Sequence, residues 1–535
     1  MLRRREFLQA SVVGAGALAF GSAFWREALA APATAGPGPY GPLQPADANG
    51  IMLPAGFRSR VIAQGGQIVP GTGYEWHLFS DGQATYRTDD GGFILVSNSE
   101  NPPDVGVTTP GGGGASAIRF RADGSIADAY RILGGTSVNC AGGATPWGTW
   151  LSCEEHARGQ VWECDPTGRT AAVVRPAMGI FEHEAVAVDP DGRCVYLSED
   201  NGSSGFYRFT PDSYPSLASG MLEVAKVGPG GLVEWARVPD PSAGSTPTRN
   251  QVSGMTRFNR GEGMWLDSGI VYLCTTNDHK IHTYDTRTRR MDVLYDAATF
   301  ANPPLTNVDN VTVARSGDVY VCEDTHDSDD PGLDIGLITP DREVTRFLKV
   351  TGPEHTGAGG DVRSELCGVV FDPSGDRMYF ASQRGFVTGV IYEVTGPFRP
   401  ARAAPRRPAP RREPGLRVYA PRRITTRALL RRGLPVTILT RGAIAVSAKL
   451  TADLPSVRGR ARSTLASGRR QIDRAGRSRL RLRPKGPSRS RVARERSFRA
   501  RLTVVATDAS GARRVVNRPV RVARTFRAPA RRRRR

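Results

Sequence analysis

One pattern recurs along the chain between about Ile51 and Pro397, and it limits the fold more than any other feature. An acidic or polar residue opens an alternating apolar stretch. A Gly-containing turn follows, and a second apolar stretch ends in an acidic or amide side chain. The copies run from Tyr74-Glu75-Trp76-His77 to Asn98 and Glu100, and from Asn139-Cys140-Ala141-Gly142 to Glu154 and Glu155. Next come Glu182-His183-Glu184 to Glu199 and Asp200, and Gly261-Glu262-Gly263 to Asn277 and Asp278. The last two are Val308-Asp309-Asn310 to Glu323 and Asp324, and Ser364-Glu365-Leu366-Cys367-Gly368 to Gln383. Most copies continue into a second hairpin, as at Lys280–Tyr284 and Val390–Val394. Strand pairs of this kind, joined by Asp-Gly and Ser-Gly turns, predict propeller blades. Six copies predict an all-β, six-bladed β-propeller, with a large β-sandwich or two smaller domains as the alternative. The 61 Gly and 39 Pro argue against a helical bundle.

A propeller gives the acidic residues a purpose. The inner strands converge on the axis, so strand-end residues point into a central funnel. Carboxylates from six copies in one small space repel one another unless cations neutralise them, which predicts hard metal ions with oxygen ligands. Taken singly, each Asp or Glu is an ordinary turn residue; their shared phase in a repeat favours metal. Of the seven cysteines, Cys153, Cys194, Cys274 and Cys322 lie in apolar strand-like runs, and Cys164 and Cys367 look similar. An odd count forbids complete pairing within one chain. Cys140 differs, because it lies between Asn139 and the flexible Ala141-Gly142-Gly143 at the opening of a repeat. A thiolate there would select a transition metal over calcium alone, the alternative being a buried structural thiol.

The formal charge of +21 averages two opposite halves. Residues 401–535 hold 41 basic and 5 acidic side chains, whereas residues 1–400 hold 32 basic and 47 acidic ones. Arg4-Arg5-Glu6-Phe7-Leu8, the apolar Ala10–Trp25 stretch and Ala28-Leu29-Ala30 predict a twin-arginine signal peptide over 1–30. Export by that machinery would place the protein in the periplasm, on the cell surface or outside the cell. Residues 31–48 read as a Pro/Gly/Ala linker, 49–397 as the propeller, and 398–414 as a stiff Pro/Arg linker. Alternating strands over 415–525 predict a small basic Ig-like β-sandwich, and 526–535 a disordered arginine tail. The basic charge of this unit suits anionic cell-envelope polymers, lipid headgroups or nucleic acid. With only Tyr419, Phe498 and Phe526 as aromatics, sequence-specific nucleic-acid binding is not expected.

The segment from Asn139 through Cys140, Trp147 and Trp150 to Glu154-Glu155 resembles the signature of PhoX-type alkaline phosphatases. Phe181-Glu182-His183-Glu184-Ala185, Arg260-Gly261-Glu262 and the closing Phe371–Gln383 segment support it, over about residues 50–397. The resemblance implies a six-bladed propeller whose site combines ferric iron and calcium and hydrolyses phosphate monoesters. Carried over by position, Cys140 and Glu155 would ligate iron, and Glu184 and Glu262 would supply carboxylates to an iron/calcium cluster. Arg260 would hold the substrate phosphate, and Asp309, Asp324 and Glu365 are further calcium candidates. Gly261 stands where the family pattern has Pro. The expected function is a metal-dependent phosphatase acting as a monomer on small phosphate esters. A calcium-dependent lactonase-like hydrolase and a non-catalytic binding propeller are the alternatives. The sequence carries no G-x-S-x-G elbow, P-loop or helical zinc-protease motif.

Overall fold

The computed structural model describes residues 33–101, 112–324, 333–356, 364–401, 416–440, 442–456, 459–508 and 513–526. The twin-arginine segment, the Pro/Arg stretch from 402 to 414 and the terminal arginines from 527 lie outside those residues. The chain forms two compact units, Met1–Arg402 and Ala403–Arg535. Among the described residues no helix is long and apolar enough to cross a membrane.

Six antiparallel sheets of at least four strands follow one another in the first unit. Their first strands are Ser80–Arg87, Asn139–Ala144, His183–Asp189, Gly261–Asp267, Val308–Val313 and Leu366–Phe371. Each of these packs against the first strand of the next sheet, and the sixth packs against the first. That closed ring is a six-bladed propeller. The sixth blade takes its outermost strand from far upstream: Arg58–Gln64 pairs antiparallel with Val390–Thr395. Closure therefore joins the two ends of the repeat array by backbone hydrogen bonds within one sheet. The cores lie between blades, as where Leu151, Val186, Leu197 and Tyr207 meet, and all seven cysteines are buried, with Cys140 at the edge of one core beside Ala141 and Ala185. All seven thiols are free.

The stretch over 33–48 departs from the linker expectation. Thr34–Ala35 adds a short parallel strand to Glu343–Val350 of the fifth blade. The Ala33 N–H donates to the Leu294 carbonyl at 2.7 Å, and Tyr40 packs edge-on against Phe57 and Phe347. Proline and glycine there suit an extended strap along an edge strand, whose outer backbone groups would otherwise need water.

The second unit has two sheets around one core. Leu416–Tyr419, Leu434–Thr440 and Gly476–Leu482 form one; Arg423–Thr425, Arg513–Ala523, Ser497–Asp508, Ile444–Ser456 and Gly459–Ile472 form the other. Two short helices, Thr426–Arg432 and Pro487–Arg494, accompany these strands, the last of which in the second sheet is Gly459–Ile472. The strand is arginine-rich and lacks clean alternation, so its pairing comes from its long hairpin partner Ile444–Ser456.

Candidate metal centre

The axial end of every blade repeats one local geometry. The residue after the second strand donates its N–H to the carbonyl of the residue before the first strand. The pairs are Glu100 to Phe79, Glu155 to Val138, Asp200 to Glu182, Thr276 to Arg260, Asp324 to Asn307 and Gln383 to Glu365. A β-bulge then interrupts each first strand near its start, between Ser80 and Gln83, Asn139 and Gly142, His183 and Val186, Gly261 and Met264, Val308 and Val311, and Cys367 and Val370. A bulge frees one residue from the ladder and re-aims its side chain. In the first five blades the freed residue is Asp81, Cys140, Glu184, Glu262 or Asp309. In the sixth, Cys367 holds the equivalent position but stays paired with Ala381, and its thiol donates to the Ser80 carbonyl at 3.2 Å. That is why one of the two thiols at this register joins the site and the other joins the core.

The bulges need small residues beneath the side chains they expose. A Cβ on Gly82 would lie 2.6 Å from the Ala141 Cα, and one on Gly263 would lie 2.5 Å from the Asn310 Cα. Neighbouring blades thus approach backbone to backbone just below the acidic ring. The residues before the first strands are also constrained. Phe79, Val138, Arg260 and Asn307 have φ of 49°, 48°, 57° and 42°. For Val138, which is β-branched, this is a costly conformation, and such residues persist where surrounding hydrogen bonds over-determine them.

Ten residues at these positions, together with Arg384, line a cavity of about 200 Å³: Asp81, Glu100, Cys140, Glu155, Asp200, Arg260, Glu262, Asp309, Asp324 and Glu365. The structure therefore brings Cys140, Glu155, Glu262, Asp309, Asp324, Glu365 and Arg260 to one place, and Glu184 joins them from the bulge of the third blade. Three groups have one potential ligand atom per residue within 4.8 Å of the others: Asp81, Glu100 and Cys140; Cys140, Glu155 and Glu184; Glu184, Glu262 and Asp309. Cys140 and Glu184 each belong to two groups, so the three form a continuous chain of sites.

The electrostatics of this cluster without cations are unfavourable. Glu184 is fully buried, and neither of its carboxylate oxygens has a hydrogen-bond partner. Burial, and then the charges of Glu262 and Asp309, push its pKa well above the usual carboxylate range. Burial does the same to Glu155, Glu262, Asp309 and Glu365, each with help from acidic neighbours. Burial, reinforced by Asp81, raises Glu100 to about 8. The Cys140 thiol is pushed well up by burial and then by Asp81 and Glu184. An orphaned buried carboxylate costs several kcal/mol in the charged form unless a cation sits beside it. The donor set of thiol plus many carboxylate oxygens fits a mixed transition-metal and hard-cation site.

Arg260 sits at the wall of the cavity with its fork on Asp200, Nε to Oδ1 at 2.9 Å and Nη2 to Oδ2 at 2.8 Å. Nη2 also lies 3.1 Å from Glu262, and Nη1 lies 3.4 Å from Asp324. Arg384 is a second guanidinium, 2.9 Å from Glu365. Asp81, Asp200, Glu100 and Arg384 were not among the predicted site residues. Glu100 and Asp200 carry the strand-end signal already noted. Asp81 shows one only once the bulges align Ser80-Asp81-Gly82 with Asn139-Cys140-Ala141. Nothing in the sequence singles out Arg384.

A comparison with curated proteins found no match. Among solved structures the chain is similar to a protein of unknown function from Bacteroides thetaiotaomicron VPI-5482, at 10% identity and TM-score 0.40, covering 63% of this chain and 76% of that one. It is also similar to the RRP9 WD40 repeats, at 10% identity and TM-score 0.36, covering 66% of this chain and 100% of that one. The fold assignment rests on the strand pairing above and not on these likenesses. The sequence profile described as alkaline phosphatase PhoX matches residues 105–292 and 285–385. Spanning more than half of the sequence and five of the six bulges, that match places the chain in the PhoX alkaline phosphatase family, a family of metal-dependent phosphoric ester hydrolases.

Proposed function

We propose that this protein is an exported phosphatase whose axial cavity holds iron and calcium and hydrolyses phosphate esters. The observation that carries the reading is Glu184: buried, orphaned at both oxygens, and shared between two of the three ligand groups. Cys140 and Glu155 would hold iron, since the thiol is the one soft donor in the cavity lining. Glu184 and Glu262 would supply carboxylates to an iron/calcium cluster, with Asp309, Asp324 and Glu365 as further oxygen ligands. Bound there, such cations would neutralise phosphate oxygens and supply a nucleophile at moderate pH.

The chain's own residues have separable tasks. Arg260 would bind the phosphoryl group through its Nη1 edge, whose 3.4 Å contact with Asp324 is the loosest of its pairings. The two bonds from Asp200 hold that guanidinium in place, so the charge is oriented before substrate arrives. Burial alone would lower the Arg260 pKa, but the Asp200 bonds and the Glu262 charge outweigh it, so it stays cationic. The Arg4-Arg5 signal would send the chain through the pathway for folded proteins, consistent with a site filled before export.

Elemental analysis of natively exported protein, with turnover of phosphomonoesters and phosphodiesters, tests the reading. Iron and calcium in wild type, and loss of iron in Cys140→Ala, are expected. Calcium without iron would favour the lactonase-like alternative. Metal-loaded protein inert towards both ester classes overturns the phosphatase assignment for this chain.

A further inference from the structure

The C-terminal unit has no part in the chemistry above, yet it holds most of the protein's positive charge. With 41 basic and 5 acidic side chains in residues 401–535, most of its arginines cannot find an internal carboxylate. The three-stranded sheet shows how the fold displays them. Leu434, Val436, Ile438 and Thr440 point inward, so their neighbours in the ladder point outward. Arg477 lies opposite Leu439, Arg479 opposite Thr437 and Arg481 opposite Pro435, which sets all three arginines on the outer face. All three are exposed. On the far strand Arg417 and Tyr419 share that face, opposite Leu439 and Thr437. One more arginine flanks the row, the Arg470 guanidinium donating to the Arg479 carbonyl at 3.2 Å, and Arg481 itself donates to the Arg432 carbonyl at 3.4 Å.

The row is periodic. Alternate residues of a strand are about 6.7 Å apart, so Arg477, Arg479 and Arg481 leave one face of the strand at that spacing. A guanidinium fork matches phosphate oxygens in pairs, and a rank of them suits an anion repeated along a chain better than an isolated one. We propose that this face binds a linear polymer of phosphodiester groups joined by short polyol units. A polymer of that chemistry offers one charge per repeat and no bases. The face supplies the charge but little to stack on, because Tyr419 is its one aromatic residue. That favours a polyol-phosphate chain over nucleic acid, whose single-stranded binders use aromatic platforms. Bound to such a polymer, the full chain would hold its phosphatase unit on a phosphate-rich matrix.

The test uses full-length protein, poly(glycerol phosphate) as probe and a salt series. Arg477, Arg479 and Arg481 are changed together to Gln. A control variant changes Arg531, Arg532 and Arg533 to Gln, removing the same charge elsewhere. Thermal unfolding and turnover of an aryl phosphate, both expected unchanged, verify that each variant is folded. Wild type should bind with a steep salt dependence. The sheet variant should bind at least about tenfold more weakly, and the slope of log affinity against log salt should fall by about 2, the scale for three lost phosphate contacts. In wild type, the polymer should also protect these three arginines from an arginine-specific reagent. Equal losses in both variants, or no protection, would overturn the proposal in favour of unspecific net charge. Tighter binding of single-stranded DNA than of the polyol phosphate, or equal binding of a carboxylate polymer such as hyaluronan, would also overturn it.

Discussion

Replacing Glu184 by Gln separates a metal-binding carboxylate from a structural one, because the two roles give opposite signs. In the metal-free protein Glu184 is buried among Cys140, Glu155, Glu262 and Asp309 and its pKa is raised well above 4.5. Burial, and then the charges of Glu262 and Asp309, make its carboxyl harder to ionise in the folded chain than in the unfolded one. A carboxyl raised on folding contributes its full stability below the unfolded pKa and loses it as pH climbs towards the folded value. Against an unfolded pKa of 4.5, the cost of staying protonated at pH 7 has a ceiling of about 3.4 kcal/mol, at ~1.36 kcal/mol per unit. Gln has the shape of the protonated acid and carries no such cost. At about 2.1 cal/mol/K per residue over about 370 residues, 1 kcal/mol is roughly 1.3 °C. Chelated Glu184→Gln should therefore melt above chelated wild type, by up to about 4 °C at pH 7 and up to about 1 °C at pH 5. With metals restored the order should reverse, since the variant loses a ligand shared by two groups. Differential scanning calorimetry with and without chelator reads both signs. A chelated variant less stable than wild type, or a gap that does not widen with pH, would refute the electrostatic account of this site.

Three further outcomes follow from other parts of the molecule. Arg260→Ala should retain its metals by elemental analysis yet lose ~10²–10³-fold in kcat for phosphate esters, the scale for removing one positioned charge. Gly263→Ala puts a Cβ against the backbone of Asn310 and Asp309, so blades four and five must part. Thermal melts should show a loss of about 1–3 kcal/mol, together with weaker calcium retention on dialysis. Replacing Arg4 and Arg5 by Lys should leave precursor in the cytoplasm on fractionation, and unchanged secretion would remove the twin-arginine reading.

Much of this architecture was legible in the sequence because a propeller is built from local hairpins. Alternation, Gly turns and strand-end acids all lie within one repeat, so six copies announce six blades. Cys140, Glu155, Glu184, Glu262, Asp309, Asp324, Glu365 and Arg260 could be singled out because each sits at a fixed phase of its copy or in a recognisable segment. Other features depend on contacts between distant segments. The strap over 33–48 reads as a linker because its partner strand, Glu343–Val350, lies some 300 residues away. The closing strand Arg58–Gln64 is likewise silent about Val390–Thr395. Arg384 becomes part of the site only when ring closure brings the sixth blade to face the first.

The two thiols at the same register mark the boundary most clearly. Sequence alone determined that Cys140 and Cys367 both follow the opening of a repeat. Only the tertiary structure decided that the bulge in the second blade releases Cys140 towards the axis, whereas pairing with Ala381 holds Cys367 in the core. A one-residue difference in where a ladder breaks exchanges the two faces of a strand, because side chains alternate with a period of two. Composition and order determined which ligand-type residues the chain carries; hydrogen-bond register decided which of them face one another.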